Sequence, residues 1–302
     1  MVDILMTTYN GEAFVEEQIR SIISQSYSDW RLLIRDDGSE DNTATIIQSF
    51  AQTDYRIQII THPNTHLGVA KNFMHLVSCS SAPYCMFCDQ DDVWLPNKVE
   101  KMVSHIHQLD NNIPQVVYSN AYLWSPEQGI IADRNTLTYP TTLQQMLFLN
   151  TGIQGAAAIF NRPMCDLLRQ PLSTYAMHDH ALLLAGICFG QVHYIHQSLM
   201  YYRQHNNNLT GNAPGSMWNK FLQLHKNRHI TVVSREHYNG VKAFYEHFQQ
   251  LLHKEDKLIL EHYLILPNYN FLKRLAEVSK ARFQLFDSTF LLLAKMCIRR
   301  YI

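Results

Sequence analysis

Over the first 120 residues, short apolar runs and helix-period stretches take turns. This alternation restricts the fold more than any other feature of the chain. Val2–Thr7 is a continuous apolar run that ends in polar residues, the pattern of a strand buried on both faces. Val15, Ile19, Ile22, Ile23 and Tyr27 then recur at helical spacing. Further strands are expected over Trp30–Arg35, Ile57–Thr61, Tyr84–Cys88 and Val116–Ser119. Helices are expected over Thr43–Phe50, Gly68–Cys79 and from Pro96, a good first-turn residue, towards Asp110. Strands alternating with helices imply parallel strands joined by crossover helices, an α/β fold. Apolar residues make up 46% of the chain, enough for a substantial core.

The remainder is less regular. Gly152–Phe160 reads as a turn entering a strand, Ala181–Ala185 as helical, and Gln191–Tyr202 as one or two strands. From Met217 the patterning is helical, divided at Pro267. Charge changes at the same place. Residues 1–216 hold 11 Lys/Arg against 19 Asp/Glu, and residues 217–302 hold 14 against 7. The expected organisation is one α/β domain over 1–216 and a helical region over 217–302. The overall net charge of −1 provides no field to recruit nucleic acid. Six cysteines show no paired framework, which favours a reducing compartment. Cys85 and Cys88 share one strand at an offset of three and point to opposite faces, which argues against a shared metal. The first residues lack a basic, then apolar, leader, and no stretch reaches the ~18 apolar residues of a membrane span. A cytoplasmic protein, peripheral at most to the inner face of the membrane, is expected.

In parallel α/β sheets, ligands bind beyond the carboxyl ends of the strands. Three acidic stretches fall there. Asp36-Asp37-Gly38-Ser39 makes a turn before a helix; one carboxylate serves the turn and the other is left for a nucleobase or ribose hydroxyl. Asp89-Gln90-Asp91-Asp92 gathers like charges that a divalent cation would hold together, with substrate phosphates as further ligands. Asp179, in His178-Asp179-His180, suits either a helix N-cap or a general base. Arg203 and His205 supply a phosphate partner and a metal ligand. No G-x-G-x-x-G, G-K-[ST], H-E-x-x-H or G-x-S-x-G occurs, which removes the dinucleotide, P-loop, zincin and serine-hydrolase readings.

These residues stand in motifs. They are T-x-Y-N-G-E at Thr7–Glu12, D-D-G-S-x-D-x-T at Asp36–Thr43, G-x-A-x-N at Gly68–Asn72 and D-x-D-D-x-W-x-P-x-K at Asp89–Lys98. In this order and spacing, over about residues 2–212, the chain resembles the family 2 inverting glycosyltransferases of GT-A fold. The resemblance implies a Rossmann-like, mostly parallel central sheet flanked by helices, with a C-terminal helical extension. It implies that Thr7, Tyr9, Glu12, Asp36, Asp37 and Asn72 line the nucleotide pocket. Asp89 and Asp91 would form the metal motif, binding Mg²⁺ or Mn²⁺, with Asp91 the direct ligand. Asp179 would be the catalytic base, although the family usually has Glu-Asp where this chain has His178-Asp179.

Three further stretches are similar to bacterial rhamnosyltransferases that build cell-surface polysaccharides from dTDP-L-rhamnose. They run from His178-Asp179 to Gly186, from Thr151 to Ala156 and from Tyr202 to Gly211. In that setting His205 completes the metal site, Arg203 faces the diphosphate, and Trp94 and Gln154 border the donor or acceptor sugar. The implied partners are a nucleotide-sugar donor, dTDP-rhamnose or else a UDP-hexose or UDP-N-acetylhexosamine, and a glycan or lipid-linked glycan acceptor. The apolar stretch from Phe283 to Met296, followed by Arg299 and Arg300, is read as subdomain packing, a homodimer contact or an interfacial membrane helix.

Overall fold

All seven side chains of Val2–Thr8 are buried, so this strand needs cover on both faces and a neighbour on each edge. The computed structural model supplies them; it describes residues 1–63, 66–149, 153–205 and 230–302. In chain order the elements begin with β1 (Val2–Thr8), α1 (Val15–Ile23), β2 (Trp30–Asp36), α2 (Thr43–Thr53) and β3 (Ile57–Ile59). Then come α3 (Val69–Cys79), β4 (Tyr84–Asp89), β5 (Val93–Trp94), α4 (Lys98–Ile106), β6 (Gln115–Ser125) and β7 (Gly129–Ala132). They continue with α5 (Leu143–Met146), β8 (Ala158–Asn161), α6 (Arg162–Leu168), α7 (His178–Phe189) and β9 (Gln191–Arg203). The last are α8 (Arg235–Phe248), α9 (Lys254–Ile265), α10 (Phe271–Lys280) and α11 (Thr289–Ile298).

The chain divides into two compact units that are interleaved in sequence. The first comprises Met1–Leu137, Gln154–Pro171 and Gly190–Asn212; the second comprises Thr138–Ile153, Leu172–Phe189 and Ala213–Ile302. The boundary expected between residues 216 and 217 lies outside the described residues. So do Thr151 and Gly152 of one rhamnosyltransferase-like stretch and residues 206–211 of another.

In the first unit, the nine described strands form one sheet in the order β3-β2-β1-β4-β8-β6-β9-β5, with β7 on β6. β3, β2, β1 and β4 are parallel, as the alternation requires. β8 runs antiparallel to both β4 and β6, while β6 and β9 are parallel to each other. The sheet is thus mixed. β8 is entered by the tight Gly155–Ala157 turn instead of a crossover helix, and a strand reached that way need not run parallel to its neighbours. A core of Ile4, Met6, Ile19, Ile34, Met86, Val99 and Ile159 joins the sheet to its helices, each worth about 1.5–3 kcal/mol when fully buried. Asp3 is buried among these strands. It is held by two 2.8 Å bonds from Arg31, by Ser80 Oγ at 2.7 Å and by the Ala82 N–H at 3.1 Å. Pro96 precedes its helix by two residues, since α4 starts at Lys98.

The second unit is helical. Ser234, Asn270 and Ser288 cap α8, α10 and α11, accepting from the N–H of His237, Lys273 and Leu291. α7 is apolar on most faces and is buried accordingly. Phe148 packs between Tyr263 and Phe283, with ring centroids 5.5 and 5.4 Å away. Val232 and Val233 donate to the carbonyls of Arg300 and Tyr301, which fastens the end of the chain.

Candidate active site

The parallel register brings the first two acidic stretches to one edge. Thr8 lies opposite Asp36 and Thr7 opposite Asp89, so the carboxyl ends of β2, β1 and β4 are neighbours. Thr7 is buried at the end of β1.

The two carboxylates of the Asp36-Asp37 turn divide their work. Asp36 closes the turn, accepting from the N–H groups of Gly38 and Ser39 at 3.1 and 2.8 Å. It also accepts from the hydroxyls of Thr8 and Ser39, at 2.8 and 2.6 Å. Asp37 faces the other way. It pairs with Arg35 at 2.6 Å and accepts from the N–H of Leu67 and Gly68, at 2.7 and 2.9 Å. Burial works to raise the Asp37 carboxyl, but these donors hold it below its ordinary value. Asn72, buried in the second turn of α3, donates to the Arg35 carbonyl at 3.4 Å, and its Oδ1 has no hydrogen-bond partner among the described residues. Tyr9 is about half exposed, edge-on to His66 with centroids 6.0 Å apart. His66 crowds Gly38, where φ is +87° and an added Cβ would come within 2.8 Å of the imidazole. Glu12 is exposed and accepts from both nitrogens of Asn42, at 3.0 and 2.8 Å, tying the end of β1 to the start of α2.

The Asp89–Asp92 stretch sorts its charges by depth. Asp91 is 22% exposed and meets His205 Nε2 at 2.9 Å; the imidazole stacks on Phe14 with centroids 4.7 Å apart. Asp92 is fully buried, with Gln154 Nε2 3.5 Å from its Oδ2. Burial, then the charges of Asp91 and Asp89, push the Asp92 carboxyl well up. Burial and the charge of Asp91 push Asp89 up to about 7. The balancing cation, Lys98, is also fully buried. It donates to the Ala156 carbonyl at 2.6 Å and lies 3.7 Å from the Trp94 ring centroid, and burial lowers its pKa to about 7. Trp94 is therefore a core side chain, 2% exposed. Gln154 is linked on its other side to Asn135 Nδ2, at 3.0 Å.

Arg203 ends β9 beside this stretch, nearly buried. It donates to the Asp91 carbonyl at 2.8 Å, pairs with Glu17, and lies 4.6 Å from the Trp124 ring. Its partners thus fix the backbone of Asp91 and the angle at which the guanidinium is presented. Asp91, His205, Arg203 and Gln154 form one connected group. Among the described residues no three His, Cys, Asp or Glu side chains gather closely enough to hold a metal ion by themselves.

Asp179 belongs to the second unit, in the first turn of α7, half-buried, with its Oδ1 2.6 Å from the His180 N–H. Its neighbours His178 and His180 are buried. Desolvation lowers His178 to about 3 and His180 well below its ordinary value.

Several working residues carried little signal in the sequence. Gln90 sits between two acidic motif positions, yet its amide both donates to and accepts from the Tyr9 backbone, at 3.0 and 2.9 Å. Arg35, Glu17 and His66 lie in no motif. A Cβ at Gly11 would stand 2.2 Å from Gln90 Oε1, so a larger residue there has to displace the end of that flexible side chain.

Comparison with known proteins agrees with this architecture. The model of the family described as glycosyl transferase family 2 matches residues 3–168. TuaG of Bacillus subtilis, named for a glycosyltransferase role in teichuronic acid biosynthesis, is 26% identical over 70% of this chain and 82% of its own. The dTDP-rhamnosyl transferase RfbG of Shigella flexneri is 38% identical over 40% of this chain. WfgD of Escherichia coli, a UDP-Glc:α-D-GlcNAc-diphosphoundecaprenol β-1,3-glucosyltransferase, is 35% identical, also over 40% of this chain. These matches span only 39% and 45% of the two relatives. Among solved structures, S. aureus TarS 1–349 in complex with UDP-GlcNAc superposes with TM-score 0.56 at 11% identity, over 97% of this chain and 90% of TarS. The mannosyltransferase PcManGT from Pyrobaculum calidifontis, in complex with GDP-Man and Mn²⁺, gives 0.53 at 14%, over 93% and 72%. The fold is the GT-A-like α/β fold that the motifs implied, and the chain belongs to glycosyl transferase family 2.

Proposed function

We propose that the protein is a metal-dependent, inverting glycosyltransferase that moves L-rhamnose from dTDP-L-rhamnose onto a hydroxyl of a glycan or lipid-linked glycan in cell-surface polysaccharide synthesis. The observation that carries this reading is the meeting of Thr7, Asp36 and Asp89 at adjacent strand ends, beside the Asp91–His205 pair and Arg203. The donor choice leans on the similarity to RfbG; TuaG supports the polysaccharide setting.

The nucleotide would lie against Tyr9, Glu12 and the Asp36–Asp37 turn, with Asn72 beneath. Its diphosphate would face Arg203, a guanidinium whose planar fork matches phosphate oxygens. Asp91 and His205 would hold a divalent cation, with Asp89 behind them. Two partly exposed protein ligands suit an ion that completes its shell with phosphates, and an imidazole nitrogen suits Mn²⁺ better than Mg²⁺. When bound, such an ion neutralises charge on the departing nucleoside diphosphate. Gln154, with Trp94 as the packed wall behind it, would border the sugar. Asp179 would take the proton of the acceptor hydroxyl as its oxygen attacks the anomeric carbon from the face opposite the nucleotide, so configuration inverts.

A UDP-hexose donor is the second reading, favoured by the 35% identity to WfgD. Purified protein tested against a panel of nucleotide sugars, with acceptor and Mn²⁺, should release dTDP from dTDP-rhamnose fastest. Asp179→Asn should keep donor affinity and lose about 10² or more in turnover. Faster UDP release would move the assignment to the second reading. Undiminished transfer by the Asn variant would remove Asp179 as the base.

A further inference from the structure

A surface helix ordinarily keeps its charges outside and its apolar residues inside. α11 inverts this rule. Its one charged side chain, Lys295, is buried and donates Nζ to the Val232 carbonyl at 2.9 Å. Thr289 apart, what the helix leaves partly or fully open is apolar: Phe290, 75% exposed, with Leu291, Leu293, Ala294, Cys297 and Ile298. The turn leading into it adds to this surface. Leu285 and Ser288 exchange backbone hydrogen bonds, which leaves Phe286 and Asp287 at the tip with φ of 52° and 60°. A bulky side chain adopts that left-handed conformation only at a cost, and here it leaves Phe286 36% exposed. α10 packs against α11 and opens with Phe271 and Leu272, the latter 76% exposed.

The same segment is basic. Residues 271–302 hold Lys273, Arg274, Lys280, Arg282, Lys295, Arg299 and Arg300 against Glu277 and Asp287. Lys273, Lys280, Arg282 and Arg300 are exposed. No helix among the described residues is long and apolar enough to cross a membrane. Ten residues of α-helix reach only about 15 Å, half the hydrocarbon thickness.

We propose that the α10–α11 hairpin docks on an anionic lipid bilayer. Phe290, Phe286 and Leu272 enter the boundary between head groups and acyl chains, and Lys273, Lys280, Arg282 and Arg300 meet the lipid phosphates. A second copy of the chain is the poorer occupant, because it would set one positive face against another. A negatively charged bilayer complements both the apolar surface and its basic rim.

Vesicle sedimentation of the full chain tests this without reference to the donor or acceptor. The protein should sediment with phosphatidylcholine vesicles that contain phosphatidylglycerol, and not with phosphatidylcholine alone. Binding should weaken as salt rises. Combined Leu272→Ser and Phe290→Ser changes should lower the partition coefficient by about tenfold or more, with an unchanged circular dichroism melt, because both side chains are already exposed. Combined Lys280→Gln and Arg300→Gln changes should lower it by about tenfold. Phe290→Trp should gain fluorescence quenching by brominated acyl chains. The proposal fails if both vesicle types bind equally, or if the serine variant binds as the parent does. It also fails if the parent is a dimer in solution that the serine changes dissociate.

Discussion

Asp91 and His205 are the two side chains on which cation binding rests in this reading, and their contact is direct, at 2.9 Å. A hard divalent cation that takes most of its shell from phosphates and water is fixed to the protein through these two side chains, so the loss of either loosens it. Asp91→Asn and His205→Ala should therefore each abolish the gain in nucleotide affinity that Mn²⁺ confers, by about tenfold or more. The affinity measured in a chelator should change little. Titration calorimetry with nucleoside diphosphate, with and without Mn²⁺, reads both. A variant that keeps the metal-dependent gain would show that its side chain is not a ligand. Arg203 differs in kind from this pair. Its contacts with Glu17 and the Asp91 carbonyl make it part of the buried frame that holds the Asp91 backbone.

At the scale of elements, the loops after β1, β2 and β4 are stitched to one another rather than to their own strands. Gln90 holds the Tyr9 backbone, Asn10 Oδ1 accepts from the Glu40 N–H, and Glu12 holds Asn42. Gly11→Ala should push the Gln90 amide off the Tyr9 backbone and cost about 1–2 kcal/mol, the worth of the two hydrogen bonds. Denaturant unfolding of Gly11→Ala, Gln90→Ala and the double variant checks it. The two changes should be non-additive, because each removes the same pair of bonds. Additive losses would show that the glycine serves something else. The strands carrying these loops were legible in the sequence, since parallel strands buried on both faces appear as unbroken apolar runs. The turn residues Asp, Gly and Ser marked where each run stopped. Three features were not legible. The direction of β8 depends on a three-residue turn with no periodicity of its own. The inward turn of Lys98 depends on a pocket built from Ala156 and Met200, far away in the chain. The division of labour between Asp36 and Asp37 depends on N–H groups about thirty residues downstream. Local pattern encodes which face of an element is apolar; it does not encode which distant backbone group will meet a given side chain.

At the scale of the molecule, the two units carry buried ionisable groups of opposite acid response. In the second unit, His178 and His237 are lowered by burial to about 3 and about 4, and burial holds His180 well below its ordinary value. His180 and His237 lie ring to ring, 4.3 Å apart, and His237 Nε2 is 2.8 Å from the Leu147 carbonyl. The unfolded chain protonates these imidazoles near pH 6.5, while the folded unit resists until far lower. Between those limits the unfolded state binds more protons, so stability is full above about pH 6.5 and falls as pH drops towards 4. In the first unit Asp89 has the opposite sign. Raised to about 7, it takes a proton in the folded state before the unfolded chain would, so the same acidification favours the metal-free fold there. The depressed carboxyls of Asp3 and Asp37 do not interfere, because their stabilisation is lost only below the ordinary carboxylate range. Hydrogen exchange followed by mass spectrometry, corrected for intrinsic rates, resolves the units by peptide. Protection across α7 and α8 should decline between about pH 6.5 and 4, with about two to three protons taken up on opening, while β1 and β4 keep theirs. Constant protection of α7 and α8 over that range would mean that the three imidazoles are already charged in the fold, or already satisfied by groups that hold their affinity for protons near that of the free side chain.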